Sequence, residues 1–277
     1  MKEPLTIKIF LASGSSSKMR TAEISNWSGK AIACSRGEIK ELGSREEAKR
    51  PGVYFLIGNN IETGESTVYV GEAEKVTKRL KQHLSKDFWT QVVAFVSKDE
   101  NLTKAHIKYL EGNLIDIGLN TAKGVILNTQ GSGARLPEAD QAEMDIFLDR
   151  ILRLLPVMGT SLFTAPEAIN ESKQDRLVCA TKGIKAYGNR TNNGFIVYKD
   201  SQAVLEGMKK SVRTKARREK LVEKGVLTQN DDCLVFTKDY EFTSPSLAAA
   251  VVKGGASNGL VAWKNGRGMT LKEVEAG

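Results

Sequence analysis

Two short runs constrain this chain more than any other feature. Gly52 to Ile57 reads GVYFLI and Ser66 to Gly71 reads STVYVG, and a polar, Asn- and Gly-containing connection of hairpin length joins them. Side chains alternate across a strand, so one face of the pair carries Val53, Phe55, Ile57, Ser66, Val68 and Val70. The other face carries Tyr54, Leu56, Thr67 and Tyr69. Burial of the first, nearly all-apolar face fixes the register, with Tyr54 expected opposite Tyr69. Two phenols then project together from the second face. Taken alone, tyrosines in strands are ordinary packing residues.

The surrounding periodicities supply the rest of a mixed architecture. Val76, Leu80 and Leu84 recur every fourth residue and predict a helix from Ala73 to Ser85. A strand is expected at Gln91 to Ser97, and a longer helix from Leu102 to Ile117 with the stripe Leu102, Ile107, Leu110, Leu114 and Ile117. Pro137, followed by Glu138 and Asp140, opens another helix that runs to Pro156. Upstream, Leu5 to Ala12 alternates as a strand, and Thr21 to Asn26 with Lys30 to Cys34 reads as a hairpin. Downstream of a polar stretch, strands are expected at Arg176 to Ala180, Ile184 to Tyr187 and Gly194 to Tyr198. Ser244-Pro245 marks the start of a helix that Gly254-Gly255 stops. The fold class is therefore α/β (α+β): a small antiparallel sheet flanked by helices, with a β-rich N-terminal extension (1–48), a central domain (49–158), a linker (159–174) and a smaller C-terminal α/β domain (175–277).

Composition narrows the functional classes. Cys34, Cys179 and Cys233 are odd in number and widely spaced, which disfavours a disulfide framework or a zinc site. With no apolar run of membrane-spanning length and no signal-peptide pattern at the N-terminus, the expected location is cytoplasmic. A net charge of +8 over 277 residues suits a phosphate-rich partner, and its placement is uneven. One basic run, Lys75 to Lys86, includes Lys75 and Lys78; a second includes Lys209, Lys210, Arg213, Lys215, Arg217 and Arg218. Each run is either a phosphate-contacting surface or a solvated helix face.

Arg79 and His83, four residues apart, share one helical stripe, next to the stripe that faces the core. A guanidinium fork matches phosphate oxygens, and an imidazole exchanges protons near neutral pH. Glu111 lies one turn from Ile107, Leu114 and Ile115, so its carboxylate emerges from an apolar surface and calls for a salt bridge or a cation. Gly112 beside it suggests the close approach of another element.

With those residues in place, Gly52-Val53-Tyr54 and Tyr69-Val70-Gly71 resemble the two half-motifs that name the GIY-YIG nucleases, each with valine for isoleucine. The resemblance continues through Arg79, His83, Glu111 and Asn128, six ordered positions in all. Over its whole length the chain is also similar to bacterial proteins that place such a unit between a β-rich segment and a C-terminal domain of unknown function. The resemblance implies a metal-dependent endonuclease acting on nucleic acid, DNA in the first instance, with a single Mg²⁺ or Mn²⁺ held by Glu111. It further implies that Arg79 binds a non-bridging phosphate oxygen, Tyr54 takes a proton from water and passes its own to His83, Tyr69 orients the nucleophile, and Asn128 steadies the metal side. The alternative is a nucleic-acid-binding module on the same fold that does not cut.

Overall fold

The computed structural model describes residues 4–60, 64–121, 125–131, 133–164, 176–192, 194–206 and 211–276. The chain divides into two compact units, Met1–Thr164 and Ala165–Gly277, and mixes helix with sheet as the expected α/β (α+β) class requires. Among the described residues, no helix is long and apolar enough to cross a membrane.

The first unit opens with the antiparallel strands β1 (Ile7–Leu11), β2 (Arg20–Ile24) and β3 (Gly29–Ser35). A 3-10 turn at Arg36–Glu38 and the short α1 (Ile39–Leu42) lead to β4 (Gly52–Asn59) and β5 (Ser66–Ala73). Then follow α2 (Val76–His83), β6 (Gln91–Ser97), α3 (Lys104–Thr121), β7 (Val125–Ile126) and α4 (Glu138–Met158). All seven strands form one sheet in the order β1-β2-β3-β6-β4-β5-β7. Because β3 pairs with β6 from Gly29 opposite Ser97 to Ser35 opposite Gln91, the segment expected as an extension is continuous with the sheet that holds β4 and β5. At the other end, Leu162 and Phe163 are buried in the first unit's core, so the expected linker begins too early.

Both faces of the inner strands of this sheet are buried. On one, Val53, Phe55, Val68 and Val70 pack with Ile107, Leu110 and Leu114 of α3 and with Phe147, Ile151 and Leu155 of α4. On the other, Tyr54, Leu56, Val92 and Ala94 pack with Ile39, Leu42, Val76 and Leu80. The second face is thus a smaller core, where the sequence pattern pointed to two projecting phenols. α4 departs from expectation as well: Pro156 lies inside its last turn, where it removes the N–H that would bond the Leu152 carbonyl, and the helix ends two residues later at Met158.

The second unit, considered by itself, holds two sheets. β8 (Leu177–Thr181), β9 (Ile184–Thr191) and β10 (Gly194–Val197) precede β11 (Gln202–Val204), α5 (Val212–Glu223), β12 (Leu227–Asn230), β13 (Cys233–Phe236) and β14 (Tyr240–Phe242). Their orders are β14-β10-β9-β8 and β11-β13-β12. α6 (Pro245–Lys253), α7 (Gly259–Ala262) and α8 (Leu271–Ala276) complete it. Ser244 caps α6 as its sequence indicates: its hydroxyl accepts the Leu247 N–H at 3.2 Å, and Gly254 closes the helix at φ 70°.

In the first half-motif, glycine answers a steric demand. A Cβ on Gly52 would lie 2.2 Å from the Phe95 carbonyl oxygen, a backbone atom of the adjacent strand that has nowhere to move. Gly52→Ala should therefore destabilise the protein by about 1–3 kcal/mol through overpacking. Urea unfolding checks this, and an unchanged midpoint would contradict the close approach of β4 and β6.

Candidate active site

The β4–β5 register places Tyr54 opposite Gly71 and Leu56 opposite Tyr69. This is two residues away from the expected Tyr54–Tyr69 pairing. A slip of two preserves every side chain's face, so both phenols still share one side of the sheet. Gly71 explains the offset: a Cβ there would sit 2.4 Å from both Cζ and Oη of Tyr54, so the phenol lies directly over a position that only glycine leaves open. The two rings stack with centroids 6.3 Å apart.

α2 brings the next groups, with one correction to the expected stripe. Val76, Leu80 and His83 are its buried residues, while Leu84, just past the helix end, is 40% exposed. His83 thus occupies the core position that leucine was expected to fill, at 3% exposure. Its Nε2 lies 2.9 Å from the Tyr54 hydroxyl, and its ring is 5.1 Å from that of Tyr69. Burial, with Lys86 and Arg79 nearby, lowers its pKa to about 4, so the imidazole is neutral at physiological pH. Its buried Nδ1 has no hydrogen-bond partner among the described residues.

Arg79, one turn earlier, donates to Gln82 Oε1 at 2.9 Å. The neighbouring Tyr54 and Tyr69 phenols hold its pKa above the ordinary value. Burial and the Tyr69 phenol push the Tyr54 pKa up, Arg79 pulls it down, and Glu111 pushes it up further; the net direction is upward. Tyr54 has no exposed surface, whereas Tyr69 is only partly buried, with the Lys86 ammonium 5.5 Å over its ring.

Glu111 reaches the same region from the opposite face. It is 9% exposed on α3, among the apolar residues that support β5. The close approach suggested by Gly112 is real: a Cβ on Gly131 would fall 2.7 Å from the Gly112 Cα. Sequence reasoning missed Glu72, which directly follows the second half-motif. Strand parity was the available signal, because Glu72 shares the α3 face with Val68 and Val70. Burial and the charge on Glu111 raise its pKa, and Lys108 and Lys104 offset part of that.

Asn128, expected to steady the metal side, bonds to the backbone of β5. Its Oδ1 accepts the Val70 N–H at 3.1 Å and its Nδ2 donates to the Val70 carbonyl at 2.7 Å. The amide thus continues the β5–β7 ladder and fixes the strand that carries Tyr69, Gly71 and Glu72. Next to these groups lies an open cleft of about 550 Å³, with Glu72, Lys75, Lys78, Arg79 and Lys104 in its lining. Lys104 is paired with Glu74 at 3.0 Å.

The second basic run divides. Arg213 and Lys215 are exposed on α5, and Arg217 is partly buried. Arg218 is only 7% exposed and donates to the carbonyls of Val204 and Leu205, so its expected phosphate-binding role is corrected to an internal anchor of the helix. Lys209 and Lys210 lie outside the described residues.

Comparison with known proteins places one landmark. Residues 177–275, within the second unit, match the family described as Domain of unknown function (DUF4357). No curated protein and no solved structure matches the chain.

The buried imidazole gives the fold a measurable pH response. His83 titrates at about 4 in the folded protein against an ordinary 6.5, so the unfolded chain binds the proton more readily. Stability from this group is complete above pH 6.5 and is lost as pH falls through about 4. Between those limits the parent should lose more thermal stability than His83→Gln. Parallel melting curves for the two proteins would show that the imidazole is not held neutral.

Proposed function

We propose that this chain is a metal-dependent endonuclease of the GIY-YIG type that hydrolyses phosphodiester bonds of nucleic acid, with DNA the first substrate to test. One observation carries the reading: the Tyr54–His83 pair at 2.9 Å, with Glu111 coupled electrostatically to Tyr54 and with Arg79 beside the phenols and in the lining of a lysine-bearing cleft. Hydrolysis of a phosphodiester needs an activated water and stabilised charge on the phosphate, and these residue types supply both.

The donor set fits a weakly held cation. Among the described residues no three His, Cys, Asp or Glu side chains cluster as a cage. Glu111 and Glu72, whose carboxyls influence each other, match an ion held by one or two carboxylates and completed by substrate oxygens. When bound, Mg²⁺ or Mn²⁺ would supply Lewis-acid stabilisation of the phosphate and leaving oxygen.

The chain's own residues divide the remaining work. Arg79 is charged, flanks the cleft and is suited to a non-bridging phosphate oxygen. Tyr69 is the phenol that solvent touches, and so it orients the attacking water. Tyr54 lies behind it, held as a protonated phenol by burial, Tyr69 and Glu111. Neutral His83, 2.9 Å away, would accept the Tyr54 proton as Tyr54 takes one from the water that attacks phosphorus. Asn128 keeps β5 in register beneath these groups.

Supercoiled plasmid and a panel of duplex, branched and single-stranded substrates, with Mg²⁺, Mn²⁺ or EDTA, test the proposal. The parent should cut only with metal, and Glu111→Gln and Arg79→Ala should each lose about 10²-fold or more while retaining the parent melting temperature. Cleavage by either variant at the parent rate would remove these residues from the site. Tight binding without cleavage by the parent would favour the inert-module alternative.

The exposed cations of α5 carry a separate expectation. If they contact nucleic-acid phosphates, replacing Arg213 and Lys215 with alanine should lower the slope of log affinity against log salt by about 0.9 per lost contact on duplex DNA. Binding by the full-length protein in EDTA measures it, and an unchanged slope makes α5 a solvated helix.

A further inference from the structure

We infer that Arg36 is a positioning residue for the candidate site: it clamps the turn after α2 and thereby fixes His83 against Tyr54. This assignment rests on the nuclease reading for its consequence, and on geometry alone for the clamp.

Arg36 follows the end of β3, remote in sequence from the half-motifs. Its backbone is held first. The Glu38 carboxylate accepts the Ser35 N–H at 3.0 Å, the Ser35 hydroxyl at 2.7 Å and the Met19 N–H at 3.1 Å, and the Arg36 N–H donates to the Thr90 carbonyl at 2.8 Å. From this fixed base the guanidinium reaches the chain beyond α2. One nitrogen donates to the Leu84 carbonyl at 2.7 Å, and the other to the carbonyls of Lys86 and, at 3.3 Å, Trp89. The same group lies 4.8 Å over the Trp89 ring. A planar fork of donors with an aromatic platform suits arginine, and a lysine reproduces it only in part. The cation also sits where the C-terminal end of a helix carries partial negative charge.

The clamp acts on His83 through Trp89 and Lys86. The Trp89 indole N–H donates to the His83 carbonyl at 3.1 Å, and the Lys86 N–H donates to the same oxygen at 3.0 Å. Trp89 is 1% exposed, and from below Gly58 admits the segment: a Cβ there would lie 2.0 Å from the Phe88 carbonyl oxygen. The His83 backbone is therefore held by a turn that Arg36 closes, while its side chain meets Tyr54 at 2.9 Å. Asp87, 3.8 Å from Arg36 and fully exposed, adds little to this arrangement.

The chain has two histidines, so the effect can be read directly at His83. The groups facing that imidazole are Tyr54 on β4, Tyr69 on β5, Arg79 on α2 and Lys86 in the turn. The full-length protein in EDTA is titrated by NMR, with the His83 signal assigned by its loss in His83→Gln. Opening the turn admits water, so in Arg36→Ala the His83 midpoint should rise by one unit or more from about 4 toward 6.5. Trp89→Phe, which removes one donor to the His83 carbonyl, should move it the same way by less, and Arg36→Lys should fall between parent and Arg36→Ala. If Arg36→Ala does not fold, the lysine variant decides. A His83 midpoint that stays at the parent value in the folded variant overturns the clamp. Cleavage assays on the same proteins keep the two ideas apart: a parent that cuts nothing defeats the nuclease reading, while the titration still decides what Arg36 does.

Discussion

Burial of both faces of β4 governs the rest of this structure. A strand covered on one side only would let Tyr54 face water as an ordinary surface phenol. Here Val53 and Phe55 point into one core, and Tyr54 and Leu56 into another. Parity is thereby fixed twice over, because an odd slip would exchange the two cores and place a tyrosine against α3. The glycines of the two half-motifs follow from this constraint. Gly52 lets the backbone of β6 come close, and Gly71 leaves the room that Tyr54 fills. Both serve packing before they serve any chemistry.

The same constraint explains what could be read in the sequence and what could not. Parity is a local property, so the strands at 52–59, 66–73 and 91–97 and the shared side of the two tyrosines were legible from residue types alone. Register is not local. The choice between pairing Tyr54 with Tyr69 or with Gly71 depends on the space over Gly71, which only the assembled pair reveals. The continuity of β3 with β6 was hidden for a like reason, since alternation shows that a strand exists but not which neighbour it takes. On α2, spacings of seven and eight residues from Val76 fit a helical stripe almost equally well, and apolarity favoured Leu84 over His83. The structure chose the imidazole, because the buried Tyr54 hydroxyl needs a partner that leucine lacks.

Charge runs illustrate a second limit. Arg217 and Arg218 are adjacent and indistinguishable by composition, but a helix turns about 100° between neighbours and sends them to different surroundings. Arg218 goes inward to backbone carbonyls near the end of β11. A basic run is thus a mixture of anchors and surface groups, and a stripe assignment must precede any statement about phosphates. Glu72 makes the complementary case, for its place beside Glu111 follows from parity once the α3 face is known.

β7 pairs with β5 only at Thr67 and Val68, and the side chain of Asn128 extends that ladder as far as Val70. Beyond it, Gly71 to Ala73 have no strand on that side among the described residues. A continuous sheet keeps groups on its two faces apart, whereas a strand that outruns its neighbour leaves an edge around which they can interact. Tyr54, Tyr69 and Arg79 approach this edge from one face, Glu111 and Glu72 from the other, and the mutual influence of Tyr54 and Glu111 crosses it. On the proposed reading a short β7 matters to the site, since a longer strand there would cover the edge that separates the guanidinium from the carboxylates.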